Sequence, residues 1–234
     1  MGSRTQEQRA LLTDYETGTA YTQAFYTLFA NIRFHWESEQ PRQEREFATQ
    51  VHTLLVTSAS SYSGQAIVAA NLAIVAAQSG AETILVDADL RMPAIRQCFG
   101  LTAGPGLSDL LEDGAVSPQK IATCLQPTFV PGLRVLGTGN APVQGAALLL
   151  SPHLEQVVAG LRDLLASSGK LSGVALFHST SVLSGADASL IGALTDQTVL
   201  AVIMGQTTRA QAKQAQEQLE QAHTNLAGVV MLHP

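Results

Sequence analysis

The chain has 234 residues, of which 46% are hydrophobic and 14% charged, and 13 Lys and Arg residues stand against 19 Asp and Glu residues. A chain of this length can bury roughly 70% of its surface, enough for one hydrophobic core, which excludes a disordered protein. The net charge of -6 argues against binding of nucleic acid through charge.

The sequence also argues against membrane insertion and secretion. The longest nearly apolar run, Ala66–Ala77, is far shorter than the roughly 20 residues that cross a bilayer. The amino-terminal residues lack the apolar core of a secretory signal. Cys98 and Cys124 have no CxxC spacing and suggest neither a disulfide framework nor a thiolate zinc site. We therefore expect a cytoplasmic protein without direct membrane insertion.

Residues 1–52 form the first predicted unit, an amino-terminal helix and exposed loop that pack on the core. Thr19–Trp36 predicts the helix, and the polar stretch Glu37–Glu46, which contains Pro41, predicts the loop. We interpret the apolar stripe of this helix as a packing face, and a partner-binding face is the alternative. The stripe consists of Tyr21, Phe25, Leu28, Phe29 and Ile32.

Residues 53–234 form the second predicted unit, in which short apolar runs alternate with longer helical segments. Continuous apolar runs are typical of parallel strands covered on both faces. The alternation predicts an α/β fold, a doubly wound and mainly parallel sheet with helices on both faces. The predicted strands are Thr53–Thr57, Thr83–Asp87, Leu133–Leu136, Gly173–Phe177, Thr198–Met204 and Ala227–Leu232. The predicted helices are Gly64–Gln78, Ser151–Ala166, Ala186–Leu194 and Arg209–Ala222.

Three segments of the chain contain distinctive sequence motifs. Gln23–Phe34 reads QAFYTLFANIRF, Thr57–Ala73 reads TSASSYSGQAIVAANLA, and Leu85–Pro93 reads LVDADLRMP. They resemble the opening helix, the P-loop and the second acidic motif of the bacterial tyrosine kinases of capsule and exopolysaccharide production, where they read EAYRTLRTNIRF, TSSAPGEGKSTTAANLA and LIDADLRRP. These kinases are deviant-Walker P-loop ATPases, and the resemblance, from about Thr19 to Leu232, implies a P-loop NTPase-like fold.

The resemblance implies a nucleotide site that departs from the family pattern at four positions. Gln65 replaces the lysine that neutralises phosphate charge, and Ala66 replaces the hydroxyl that holds Mg²⁺. Tyr62 replaces a loop glycine, and His178 replaces the Walker B aspartate. The implied site positions are Tyr62, Gly64, Gln65, Ala66, Asp87, Asp89 and His178.

The free energy lost through these substitutions can be estimated. Hydrogen bonds to charged groups are worth about 1.5 to 3 kcal/mol each, so loss of the lysine, the hydroxyl and the carboxylate removes about 5 to 9 kcal/mol. Half of that sum lowers affinity by about two to three decades. We therefore expect no catalytic residue, no metal site and no cofactor, and leave weak Mg-ATP or ADP binding open.

Taken together, the resemblance and the departures predict a catalytically inactive, pseudokinase-like homologue that acts as a binding or regulatory module for exopolysaccharide or capsule assembly. The alternative is a divergent ATP-binding tyrosine kinase or ATPase with a weak or partner-completed nucleotide site. The implied partner is the cytoplasmic segment of a membrane polysaccharide co-polymerase or a related active kinase, which would recruit the chain to the inner face of the membrane. Because Gln23, Tyr26 and Phe29 replace the charged residues that join subunits in the family's ring, we expect a monomer or dimer.

Two interpretations stay open at the strand ends. Asp87 and Asp89 either cap backbone N–H groups and pair with Arg91, or retain a cation. His178 either accepts or donates a hydrogen bond, or joins the two aspartates in a metal site that would support hydrolysis.

Overall fold

The structure is a computed structural model that describes residues 10–16, 18–39, 50–62, 64–140 and 146–233. The strands in these ranges are β1 (Gln50–Ser58), β2 (Glu82–Asp87), β3 (Leu125–Pro127), β4 (Leu133–Leu136), β5 (Ser172–His178), β6 (Gln197–Ile203) and β7 (Leu226–Leu232). They form one sheet in the order β3-β4-β2-β5-β1-β6-β7. Only the β3–β4 pair is antiparallel among the described strands. The sheet confirms the predicted α/β class.

Helices cover both faces of this sheet, and each face has its own hydrophobic cluster. The helices of the described ranges are α1 (Ala20–Glu39), α2 (Gln65–Gln78), α3 (Ile95–Phe99), α4 (Leu107–Glu112), α5 (Pro118–Cys124), α6 (Ala146–Leu149), α7 (His153–Ala166), α8 (Asp187–Gly192) and α9 (Arg209–Gln221). On one face, α2 lies between the sheet and α1, so nearly all of its side chains are buried. No helix of the described residues is long and apolar enough to span a bilayer.

The predicted elements agree with the structure where they are long and apolar. All six predicted strands are present, with ends that differ by at most three residues. The sequence does not predict β3 or the short helices α3 to α6, because elements of three to seven residues carry little periodicity. The loop predicted from Glu37 is wrong at its start, since α1 continues to Glu39, and residues 40–46 lie outside the described ranges. The division at residue 52 stays a prediction.

Part of the apolar stripe of α1 packs against the core, whereas Tyr21 is 37% exposed. The helix begins after Thr19, whose hydroxyl accepts a hydrogen bond from the Thr22 amide at 3.2 Å. Phe25, Phe29 and Ile32 are buried in the cluster that α1 shares with α2. The alternative, a partner-binding aromatic face, therefore does not apply to the two phenylalanines.

A buried asparagine ties the amino-terminal segment and α1 to α2. Asn71 is fully buried; its Oδ1 accepts from the Leu12 amide at 2.9 Å, and its Nδ2 donates to the Tyr21 hydroxyl at 2.9 Å. The Tyr21 hydroxyl in turn donates to the Ala10 carbonyl at 3.1 Å. Burial, followed by the neighbouring Tyr15, raises the pKa of Tyr21 from 10.0 to about 12.

This shift predicts how stability changes at alkaline pH. The folded state favours the neutral phenol, whereas the unfolded chain ionises it near pH 10, so the contribution of Tyr21 is full below pH 10 and is lost as pH rises towards about 12. Urea unfolding at several pH values between 9 and 12 is expected to show this loss. In a Tyr21→Phe variant the decline over that window should be smaller, and in a Tyr26→Phe variant, which removes another phenol of α1, it should persist. An equal decline in Tyr21→Phe would contradict the assignment.

The order of the strands brings three carboxyl ends together. β1 and β2 both pair with β5, and the register places His178 opposite both Val56 and Asp87. The loop after β1, the aspartates after β2 and the end of β5 therefore meet at one edge of the sheet, where ligands of parallel sheets bind.

Candidate nucleotide site

Gln65 starts α2 directly after the loop that follows β1. The residue is only 6% exposed. Its Oε1 accepts from the Ser58 hydroxyl at 2.7 Å, and its Nε2 donates to the Ser179 carbonyl. The amide thus links the carboxyl ends of β1 and β5 and uses both of its polar atoms within the protein. It supplies no positive charge to the loop.

The loop itself is narrowed by an aromatic ring. The Tyr62 ring lies over Gly64, so close that a Cβ at residue 64 would sit 2.6 Å from the Tyr62 hydroxyl oxygen. P-loops use glycine to let phosphate groups approach the backbone closely, and the ring fills that space here. Ala66, the next residue of α2, is buried in the core and offers no hydroxyl. Ser63 lies outside the described residues.

His178 and Asp87 form a buried pair at the ends of β5 and β2. His178 Nδ1 lies 3.1 Å from Asp87 Oδ1, and the two side chains are 3% and 1% exposed. His178 could be a hydrogen-bonded residue or a metal ligand, and the structure shows it hydrogen-bonded to Asp87.

The two aspartates after β2 cap the backbone of the turn that follows. Asp87 Oδ2 accepts from the Ala94 and Ile95 amides at 3.2 and 3.1 Å. Asp89 Oδ1 accepts from the Arg91 and Met92 amides at 3.2 and 2.9 Å. These contacts agree with the capping role predicted for them.

The sequence predicts that Arg91 pairs with Asp87 and Asp89, and for the Arg91 side chain this prediction is wrong. Its guanidinium binds Asp187 at the start of α8, with distances of 3.2 Å from Nε to Oδ2 and 3.3 Å from Nη2 to Oδ1. Asp187 is fully buried, and it also accepts from the Thr180 hydroxyl at 3.4 Å. The pair neutralises the arginine that lies nearest in sequence to the two aspartates.

No metal site of His and carboxylate ligands is assembled in the described ranges, where no three His, Cys, Asp or Glu residues come close enough to hold an ion. Asp87 and His178 contact one another, but Asp89 binds backbone amides. The hydrolytic alternative therefore lacks its third ligand in this arrangement.

An apolar cavity of about 410 Å³ opens beside the loop, between α1, the start of α2 and the end of β7. Tyr62 and Gly64 form its wall on the loop side, and Phe25, Ile67 and Leu232 contribute apolar surface. No Lys or Arg lines the cavity among the described residues.

Three contacts of the site involve residues that the sequence does not single out. Ser179 contributes only its backbone carbonyl to Gln65, so its side chain gives no signal. Ser58 is the last residue of β1 and is followed by other small residues, so nothing in the sequence distinguishes it. Asp187 is the acidic first-turn residue of α8, a pattern that predicts a helix start but not its pairing with Arg91.

Comparison with known proteins agrees with this geometry. No family model matches the chain. The tyrosine-protein kinase YwqD of Bacillus subtilis is 32% identical over 200 residues, which are 83% of this chain and 80% of that relative. The tyrosine-protein kinase wzc of Salmonella typhi is 25% identical over 182 residues, which are 78% of this chain but only 24% of wzc. The solved BceF tyrosine kinase domain has a TM-score of 0.76 at 25% identity and covers 97% of this chain and 83% of that domain.

The relative from Bacillus subtilis is matched along most of both chains, and the solved kinase domain superposes on nearly all of this chain. The chain belongs to the family of bacterial tyrosine-protein kinases and has their P-loop NTPase-like fold.

Proposed function

We propose that the chain is a catalytically inactive member of its family, a pseudokinase whose fold serves as a binding or regulatory module for exopolysaccharide or capsule assembly. The observation that carries the proposal is that side chains of the protein itself occupy the positions of the nucleotide site. The Gln65 amide is bonded to Ser58 and Ser179, the Tyr62 ring covers Gly64, and His178 binds Asp87.

Phosphoryl transfer depends almost entirely on positioning the phosphates and neutralising their charge. Each of the three features opposes either the positioning of the phosphates or the neutralisation of their charge. Gln65 brings no charge, Tyr62 blocks close approach to the loop backbone, and His178 occupies a carboxylate oxygen that would otherwise face a metal. Their combination supports the loss of catalysis better than any single substitution does.

The partner that we propose is the cytoplasmic segment of a membrane polysaccharide co-polymerase or a related active kinase. This proposal rests on the family resemblance, and it places the chain in the cytoplasm at the inner face of the membrane. The retained fold supports a binding role, because the hydrophobic clusters on both faces of the sheet are complete although the site has changed.

The proposal predicts that the chain does not bind Mg-ATP tightly. Isothermal titration with Mg-ATP is expected to give no binding tighter than about 10 μM, since the site lacks the countercharge of the β- and γ-phosphates. ATP with a chelator in place of Mg²⁺ serves as the control, because a site that uses no metal should give the same result in the two titrations. Binding below that threshold, or an affinity that depends on Mg²⁺, would show that the site is functional.

A second candidate function is a weak or partner-completed nucleotide site, as in a divergent ATPase. The cavity beside Gly64 favours it, since about 410 Å³ falls within the range of about 300 to 1,000 Å³ that is usual for small-molecule pockets. This candidate requires a nucleotide-dependent thermal shift or turnover that Asp89→Asn reduces. If Asp89→Asn leaves both unchanged, the second candidate fails.

A further inference from the structure

β7 is an unusual edge strand. In the described residues no strand pairs with its outer side, and its sequence from Leu226 to Leu232 contains neither a charged residue nor proline. Proteins normally protect sheet edges with charges, prolines or very short strands. The opposite edge follows that rule, because β3 has three residues and contains Pro127.

The side chains of β7 are also poorly covered. Val229 is 55% exposed and Met231 is 62% exposed, although both are large and apolar. On the other face of the strand, Val230 and Leu232 are half-buried against the cluster shared with α1 and α2. The strand therefore offers apolar surface together with its open edge.

The hydrogen-bond directions of β7 follow from its pairing with β6. A bulge lies near the start of the pair, and the register is regular from Gly228 to Leu232. The Leu232 carbonyl accepts from the Met204 amide at 2.9 Å, so in a parallel ladder the even-numbered residues of this stretch bond to β6. The N–H and C=O groups of Val229 and Met231 consequently point away from the sheet.

The geometry points to a second copy of this chain as the partner of β7, paired antiparallel about a twofold axis at Val230. Val229 and Met231 flank Val230 symmetrically, so this register pairs Val229 with the partner's Met231 and Met231 with the partner's Val229. All four outward N–H and C=O groups on each side then form inter-subunit hydrogen bonds. The exposed Val229 and Met231 side chains cover one another across the two strands, and two uncharged strands bring no like charges together.

The sizes of the opposed residues agree with this register. Gly228 lies opposite the partner's Leu232, and nothing lies within 4 Å of the place where a Gly228 Cβ would be. A cavity of about 200 Å³ adjoins Gly228, lined in part by Leu28, Ile32 and Val230. The partner's Leu232 is half-buried in its own subunit, so only its exposed side borders this space, and the twofold axis repeats the contact on the other subunit. The interface is thus self-complementary, as a twofold dimer requires.

Charge placed on the strand tests the interface. Sedimentation or light scattering over a concentration series is expected to show a dimer, and the double variant Val229→Lys and Met231→Lys is expected to weaken it at least about tenfold, because lysines then oppose lysines twice. The matched control, Leu150→Lys and Leu171→Lys, changes two exposed leucines away from β7 and should leave the dimer intact. Mixing the lysine variant with Val229→Glu and Met231→Glu should restore association as a heterodimer.

Disulfide trapping tests the register independently of affinity. A Val230→Cys variant is expected to cross-link to itself on mild oxidation, because opposed residues of a non-hydrogen-bonded pair lie about 4.5 Å apart at Cα, within disulfide range. Leu232→Cys is the control, since its own copy lies four residues along the strand, about 13 Å away. Cys98 and Cys124 are buried, so the natural chain should give no cross-link.

Three results would overturn the inference. They are a natural chain that remains monomeric at every concentration, a dimer that the lysine pair leaves unchanged, and cross-linking of Leu232→Cys in preference to Val230→Cys. None of them depends on nucleotide binding, so this inference and the proposed function fail separately.

Discussion

A variant with Tyr62→Gly, Gln65→Lys, Ala66→Ser and His178→Asp is expected to bind Mg-ATP about a hundredfold more tightly than the natural chain, or better. The four changes reopen the loop over Gly64 and return the lysine, hydroxyl and carboxylate of the family pattern. Those three groups account for about 5 to 9 kcal/mol of interaction with phosphates and Mg²⁺, and half of that is two decades or more in affinity. Isothermal titration in the presence of Mg²⁺ measures the gain.

The matched control keeps three of the changes and places Met instead of Lys at residue 65. Methionine has similar length and no charge, so this variant should bind about tenfold to a hundredfold more weakly than the lysine variant. Both variants lose the amide bridge from Gln65 to Ser58 and Ser179, so the comparison isolates the charge. Removal of Mg²⁺ with a chelator should reduce binding of the lysine variant and leave the natural chain unchanged.

Two outcomes of this experiment would contradict the proposed function. If the natural chain already binds Mg-ATP as tightly as the four-residue variant, the substitutions have not closed the site. If the variant is folded, with a cooperative thermal transition, and still does not bind, then the groups lost at residues 65, 66 and 178 are not what prevents nucleotide binding.

The fold was largely predictable because its central elements carry strong patterns. β1, β5 and β6 have apolar centres that are buried on both faces, and α2 is mostly apolar because it is buried between the sheet and α1. β3 was not predictable, since three residues that include Pro127 give neither alternation nor an apolar run. Its pairing with β4 depends on tertiary contacts alone.

The positions of the candidate site could be predicted from the sequence, but their contacts could not. The strand ends of a parallel sheet meet at one edge, which places Asp87 near His178 without any structure. The bridge from Gln65 to the Ser179 carbonyl joins residues 114 positions apart, and a backbone carbonyl has no sequence signature. The same holds for Arg91, whose partner Asp187 is 96 positions away.

His178 is the only side-chain partner of Asp87 among the contacts described above, and both side chains are almost fully buried. His178→Asp is therefore expected to destabilise the protein by about 3 kcal/mol, because it places two carboxylates side by side in a buried position. For a chain of this size the loss corresponds to a fall in Tm of roughly 6 to 12 °C. Millimolar Mg²⁺ should recover part of that loss, since a hard cation binds two carboxylates, and should leave the Tm of the natural chain unchanged.

His178→Asn separates this explanation from a simple packing defect. Asparagine keeps an N–H donor for Asp87 and adds no negative charge, so its Tm should fall less than that of His178→Asp and should not respond to Mg²⁺. Thermal unfolding of the three proteins with Mg²⁺ and with a chelator makes the comparison. Equal Tm values for the natural chain and His178→Asp, or a Mg²⁺ response in His178→Asn, would show that the hydrogen bond between His178 and Asp87 does not stabilise this buried position. A selective Mg²⁺ response in His178→Asp would instead show that this edge of the sheet has room for a cation between two carboxylates.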